Sequence, residues 1–330
     1  MALNYPRLDN ASGVWNMKEV TDAVKGGYWP VSGSRMCMAG GTYDPAADDT
    51  VEFITIATLG NATDFGNLTV KRIGVEGHQA SFTRGFVTGG GTPSVTAAID
   101  VFTTMTTGNA TDFGDLTKSQ NYVGGASNST RAISWGNVSE NIIDYFQMST
   151  AGNATDFGDM TVARSNKACM NSPTRGVAGA GRAPGANVTI DYITFASTGN
   201  ATDFGDAGAA TKGAASGASS STRGAYGGGY FPATANSEIE YIEFASTGNA
   251  IDYGDLSEGK VYGCASSSSI RAIYAGGETP THRNTIEYWN IPIGGTVVDF
   301  GDLGSTWENP GAWSNAHGGL CDGNQGVVDT

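Results

Sequence analysis

The chain has 330 residues, of which 15% are charged and 49 are glycine, and its formal net charge is −14. With 18 Lys and Arg against 32 Asp and Glu, it has no basic stripe to displace counterions, which argues against a nucleic-acid backbone as partner. Thr, Ser, Gly and aromatic residues outweigh helix formers, the composition of an all-β chain with many tight turns.

In chain order, residues 1–26 read as an N-terminal arm, with Met17–Lys25 as one short helix. The first residues lack the apolar stretch of a signal peptide, and no apolar run reaches the ~18 residues needed to span a bilayer. Synthesis in a cytoplasm, with no membrane insertion, is the expectation. Cys37, Cys169, Cys264 and Cys321 have no paired spacing and are expected as free thiols.

From residue 27 a repeat takes over. Gly60-Asn-Ala-Thr-Asp64-Phe-Gly66 recurs ending at Gly114, Gly158 and Gly205, with looser copies at Ile251-Asp-Tyr-Gly254 and Val298-Asp-Phe-Gly301. The repeat-turn aspartates are Asp64, Asp112, Asp156, Asp203, Asp252 and Asp299, so the period is 44 to 49 residues. That period marks a repeat architecture. Within the third unit, Asn121–Ala126, Arg131–Trp135, Ile142–Phe146 and Thr155–Met160 read as four strands. Four short strands per unit predict a propeller blade, and six units predict six blades of four antiparallel strands over 27–304. The Asn-Ala-Thr of each copy reads as turn chemistry, with Gly-Asn in a left-handed position and Thr opening a strand.

Two further columns recur. One is basic: Arg35, Arg84, Arg131, Arg175, Arg223 and Arg271. The other lies twelve residues before each repeat aspartate and is acidic: Glu52, Asp100, Asp144, Asp191, Glu240 and Glu287. Apolar residues flank the acids on both faces of that third strand, as expected for a sheet stacked between two neighbours. A buried acid requires a partner, and the repeat arginine is the expected one, in six structural ion pairs.

The loops between second and third strands vary in length and should share one face. There Tyr230, Phe231, His282 and Arg283 are the candidate contact residues. No nucleophile elbow, zinc-protease motif or phosphate loop is present, and the three histidines do not recur, so no enzyme is expected. No cofactor or metal is expected either. Calcium at Asp156-Phe-Gly-Asp159 with Asn153 is the one alternative weighed. Residues 305–330 read as a closing segment and tail, with Trp313 to Gly319 packed near the first blade and His317 in the arginine's place.

The order Arg, then Gly40-Gly41, Gly89-Gly90 or Gly276-Gly277, then a strand such as Ile286-Glu-Tyr-Trp289, resembles the kelch repeat. That resemblance implies a kelch-like β-propeller, although Asp-Phe-Gly-Asp-Leu stands where kelch units carry a tryptophan. The segment Ser12-Gly-Val-Trp15 leading to Tyr28-Trp-Pro30 resembles segments of tailed-bacteriophage structural proteins, as do the Asn-Ala-Thr-Asp-Phe-Gly-Asp repeats. This second resemblance implies a structural or adhesion subunit of a virion, in a tail fibre or baseplate. Its partners would be other virion proteins and a host surface glycan or receptor. A lectin-like carbohydrate-binding propeller and a capsid decoration protein are the alternatives.

Overall fold

A computed structural model describes residues 34–320, apart from 44–45, 92–93, 138, 184–186, 209–212 and 231–233. The arm and helix expected over 1–26 lie outside these residues, as do Phe231 and Cys321. The described chain is all-β: six four-stranded antiparallel sheets, one two-stranded ribbon (Thr42–Tyr43 with Ala46–Ala47) and no helix. The six sheets form a six-bladed propeller. Blade 3 is typical, with Gly124–Ser127 innermost, then Arg131–Trp135, Ile142–Gln147 and Thr155–Asp159 outermost.

The first blade is assembled from both ends of the described chain. Its innermost strand, Gly311–Ser314, pairs with Arg35–Ala39, which pairs in turn with Thr50–Thr55 and Thr63–Asn67. Gly311–Ser314 also touches the innermost strands of blades 2 and 6, so the circle of inner strands is continuous.

Innermost strands are poor in large side chains because six of them crowd one axis. A Cβ on Gly125 would lie 1.8 Å from the Gly77 carbonyl oxygen, so no larger residue fits. The core lies between blades. Ile133, Trp135, Ile143 and Phe157 of blade 3 meet Cys169, Ala178 and Ile193 of blade 4 in one buried cluster. The third strand is buried on both faces: the consecutive Ile143 and Asp144, which point to opposite sides, are 0% and 1% exposed.

The repeated phrase joins neighbouring blades. In five copies the glycine and alanine around the asparagine donate their backbone N–H groups to the outer strand of the preceding blade, and in the sixth Gly295 and Val297 do so. Gly199 donates to the Phe157 carbonyl and Ala201 to the Asp159 carbonyl, each at 2.8 Å. The Asn200 carboxamide oxygen accepts the Asp159 N–H at 3.1 Å. The same three bonds join the ring's seam: Gly60 to Phe300, Ala62 to Asp302, and Asp302 to Asn61. The asparagine is therefore an interblade acceptor and is not left-handed; only the preceding glycine has positive φ. Gly158 has φ +148°, and a Cβ there would lie 2.4 Å from the Gly199 carbonyl oxygen. The Asp-Phe-Gly glycine is thus fixed by the next blade's approach.

Both recurring charged columns are structural, but they do not pair with each other. The register places Asp144 opposite Ser134 and Arg131 opposite Gln147. Arg131 and Ser134 are three positions apart, so their side chains emerge on opposite faces of the sheet. The expected ion pairs of Arg35, Arg84, Arg131, Arg175, Arg223 and Arg271 with Glu52, Asp100, Asp144, Asp191, Glu240 and Glu287 are corrected on this ground. Each repeat arginine instead reaches a backbone carbonyl just beyond the third strand of the next blade: Arg84 to Met148 at 2.8 Å, Arg131 to Phe195 at 2.5 Å, Arg271 to Ile56 at 2.6 Å. Five of the six also lie over an aromatic ring of their own blade, as Arg131 lies 4.7 Å from the Tyr145 centroid.

The acids turn toward the linker that leads into their blade. Asp100 accepts the Thr69 N–H and hydroxyl at 2.9 and 2.7 Å and pairs with Arg72 at 2.5 Å. Asp191 pairs with Arg164 at 2.8 Å and Glu287 with Lys260 at 3.2 Å, all of them buried. Gln120 occupies the equivalent position for Asp144, whose carboxyl is raised by burial and held by Thr117 at 2.9 and 2.7 Å. The repeat-turn aspartates are exposed, and Asp156 accepts the N–H of Gly158 at 3.1 Å. Asn153, weighed with Asp156 and Asp159 for calcium, accepts the Asp115 N–H of the preceding blade.

Candidate functional site at the channel mouth

An antiparallel four-stranded blade sends its second-to-third-strand loop and its outgoing linker to the same end. Bridges between the two confirm it: Ser165 with Arg182, Val261 with Glu278, Thr42 with Glu308. The variable loops therefore share one face with the interblade linkers.

At the axis of that face the linkers form a girdle. Gly74, Tyr122, Asn166, Ala214, Tyr262 and Asn309 occupy equivalent positions in six linkers, and all have φ between +52° and +67°. Five of them donate their N–H to the carbonyl of the one before: Tyr122 to Gly74 at 2.8 Å, Asn166 to Tyr122 at 3.3 Å, Ala214 to Asn166 at 3.0 Å, Tyr262 to Ala214 at 3.2 Å, Asn309 to Tyr262 at 2.7 Å. A left-handed conformation is ordinary for glycine and asparagine but costs a tyrosine or alanine about 1 kcal/mol. The run of five hydrogen bonds from Gly74 to Asn309 holds the side chains around one opening despite that cost.

Above the girdle lies a cavity of about 540 Å³, lined by Tyr122, Ser165, Asn166, Arg182, Ala183, Tyr262, Glu278, Glu308 and Asn309. Arg182 donates to the Tyr262 hydroxyl at 3.1 Å, and Tyr230 meets the Tyr262 ring edge-on with centroids 5.7 Å apart. Burial, reinforced by Tyr262, pushes the Tyr230 phenol up to about 12, so it is a neutral donor at any physiological pH. On the far rim, Glu278, His282 and Glu308 converge, with ligand atoms all within 4.8 Å of one another. His282 Nε2 lies 3.4 Å from Glu308 Oε2. The Glu308 carboxyl is raised, chiefly by burial, with His282 lowering it and the neighbouring Glu278 carboxylate raising it.

Of the contact residues expected from sequence, the structure brings Tyr230 and His282 to this site. Arg283 is turned away into a two-pronged ion pair with Glu258, at 2.8 and 3.1 Å. Tyr122, Arg182, Tyr262, Glu278 and Glu308 were not singled out from the sequence. Tyr122, Tyr262 and Glu308 lie in linkers; Tyr122 falls within the expected first strand Asn121–Ala126, which instead begins at Gly124. The girdle column was visible as residues spaced by 48, 44, 48, 48 and 47, but its members differ in type and so present no repeated word.

The opposite end is closed. His317, fully buried, sits among Ser127, Asn171 and Ala80: 3.2 Å from the Ser127 hydroxyl, 3.4 Å from the Asn171 amide and 3.0 Å from the Ala80 carbonyl. The ring nitrogen facing Gly319 accepts its N–H at 3.1 Å. Only the loop face thus offers an opening at the axis among the described residues. Set against protein-family models and curated proteins, the chain matches none.

Proposed function

We propose that this chain is a non-enzymatic attachment propeller that captures a polar, carbohydrate-type ligand at the channel mouth. The observation that carries the reading is the composition of the cavity wall. Tyr122 and Tyr262 offer flat apolar faces, while Asn166, Asn309, Arg182 and the two glutamates offer donors and acceptors in fixed directions. Sugars present that same mixture of apolar C–H faces and hydroxyl groups, and a pre-formed concave site with few oriented polar groups suits them. Glycosidic cleavage would need two carboxylates spaced ~5–10 Å apart on either side of a bond. Glu278 and Glu308 lie closer than that and together on one rim, which favours binding over hydrolysis.

The setting we propose is the exterior of a tailed-phage virion, with the loop face outward for attachment. It is supported by the resemblance of residues 12–30 and of the repeats to virion proteins, and kelch-like descent is supported by the Arg, Gly-Gly and Ile-Glu-Tyr order. The test is a glycan array probed with the wild-type chain and with Arg182→Ala and Tyr262→Asn. Asparagine keeps the left-handed backbone while removing the ring. Specific binding that weakens tenfold or more in both variants is expected. Absence of binding across the array, or binding indifferent to both substitutions, rejects the reading.

A further inference from the structure

We infer that Glu278, His282 and Glu308 form a divalent transition-metal site on the cavity rim, with its open coordination positions facing the cavity. One imidazole and two carboxylates are a borderline-soft N/O/O donor set, suited to zinc and its neighbours. Their ligand atoms already lie within 4.8 Å of one another, close enough to share one ion.

The backbone holds all three in place. Glu278 N–H donates to the Val261 carbonyl at 2.8 Å, and Glu278 also bridges His282 across a tight turn. Glu308 is bridged to Thr42, whose N–H reaches the Glu308 carbonyl at 2.8 Å. Two chain segments thus deliver the ligands: the second-to-third-strand loop of the sixth blade carries Glu278 and His282, and the linker from the sixth blade to the first carries Glu308.

The charge balance argues the same way. Two carboxylates this close repel unless a proton or a cation lies between them. A divalent ion held by both carboxylates would neutralise that repulsion. Arg182, the basic residue lining the same cavity, is already engaged with the Tyr262 hydroxyl. Three protein ligands leave at least one position of a tetrahedral ion for water or a ligand oxygen. The inference does not depend on the carbohydrate reading, because it concerns the ion alone.

The experiment is titration of the full-length, tag-free protein with zinc chloride by isothermal calorimetry, repeated with His282→Ala and Glu308→Gln. Circular dichroism melting checks that each variant folds. One equivalent of zinc is expected, with affinity falling at least tenfold in each variant. Should His282→Ala fail to fold, Glu278→Gln serves, because it keeps the backbone bridges and removes one ligand charge. No saturable zinc binding, or zinc binding of unchanged affinity in the folded variants, overturns the site.

Discussion

Arg164 and Arg131 carry the same charge on the same repeated sheet, yet their surroundings give them unequal weight. Arg164 is fully buried and donates to Asp191, Ala178 and Ala180 at 2.7 to 2.8 Å. Its removal would leave Asp191 charged, buried and short of a partner. Arg164→Ala should therefore cost roughly 3–5 kcal/mol. Arg131 is part-exposed, lies over Tyr145 and donates to one carbonyl, so Arg131→Ala should cost about 1–2 kcal/mol. Urea denaturation of the two variants beside the wild type measures the gap; equal losses would contradict it. The acids of the pairs were legible in the sequence because they recur at a fixed distance from the repeat aspartate. The residues at the partner position were not, because Arg72, Gln120, Arg164 and Lys260 differ in type and the pairing depends on which face of the sheet each side chain leaves.

Between blades, the decisive element is the outer-strand glycine with the turn that docks against it. Gly158→Ala places a methyl group 2.4 Å from the Gly199 carbonyl and 2.5 Å from its carbon, both backbone atoms of the next blade. The blades must separate locally, and the Gly199 and Ala201 hydrogen bonds loosen with them. We expect a loss of roughly 2–4 kcal/mol, drawn from overpacking and broken hydrogen bonds. Asn200→Ala removes one acceptor and leaves the docking intact, for about 1 kcal/mol. Thermal melting of both variants tests the order, which reverses if the phrase acts only as a local turn. The phrase was the clearest signal in the sequence and predicted the blade count correctly. What it does could not be read from one unit, since each copy bonds to the outer strand of another blade.

At the scale of the whole ring, the buried histidines couple closure to pH. His78 and His317 are lowered to about 4 by burial, with His317 adding to the effect on His78. Between pH 6.5 and 4 the unfolded chain takes up protons on them and the folded ring does not, so stability falls as pH drops through that window. Each histidine contributes a slope of up to ~1.4 kcal/mol per pH unit. Glu52 and Asp144, raised by burial, act in the opposite sense in any variant and cancel on comparison. His317→Gln should flatten the decline in melting temperature between pH 6.5 and 4.5, and an unchanged slope would remove His317 from the account. The propeller itself was legible from its period; the channel-mouth site was legible only through the loop residues Tyr230 and His282, because Tyr122, Tyr262 and Glu308 lie in linkers that only a closed ring gathers. That closure also sets a timetable. Blade 1 leaves the ribosome as three strands, and Arg35–Ala39 keeps a bare inner edge while five further blades are synthesised. Gly311–Ser314 is the last described strand to emerge, so the nascent chain carries an unpaired, buried-type strand for most of its synthesis. Anything that stalls translation before residue 311 leaves that edge free to pair with another chain.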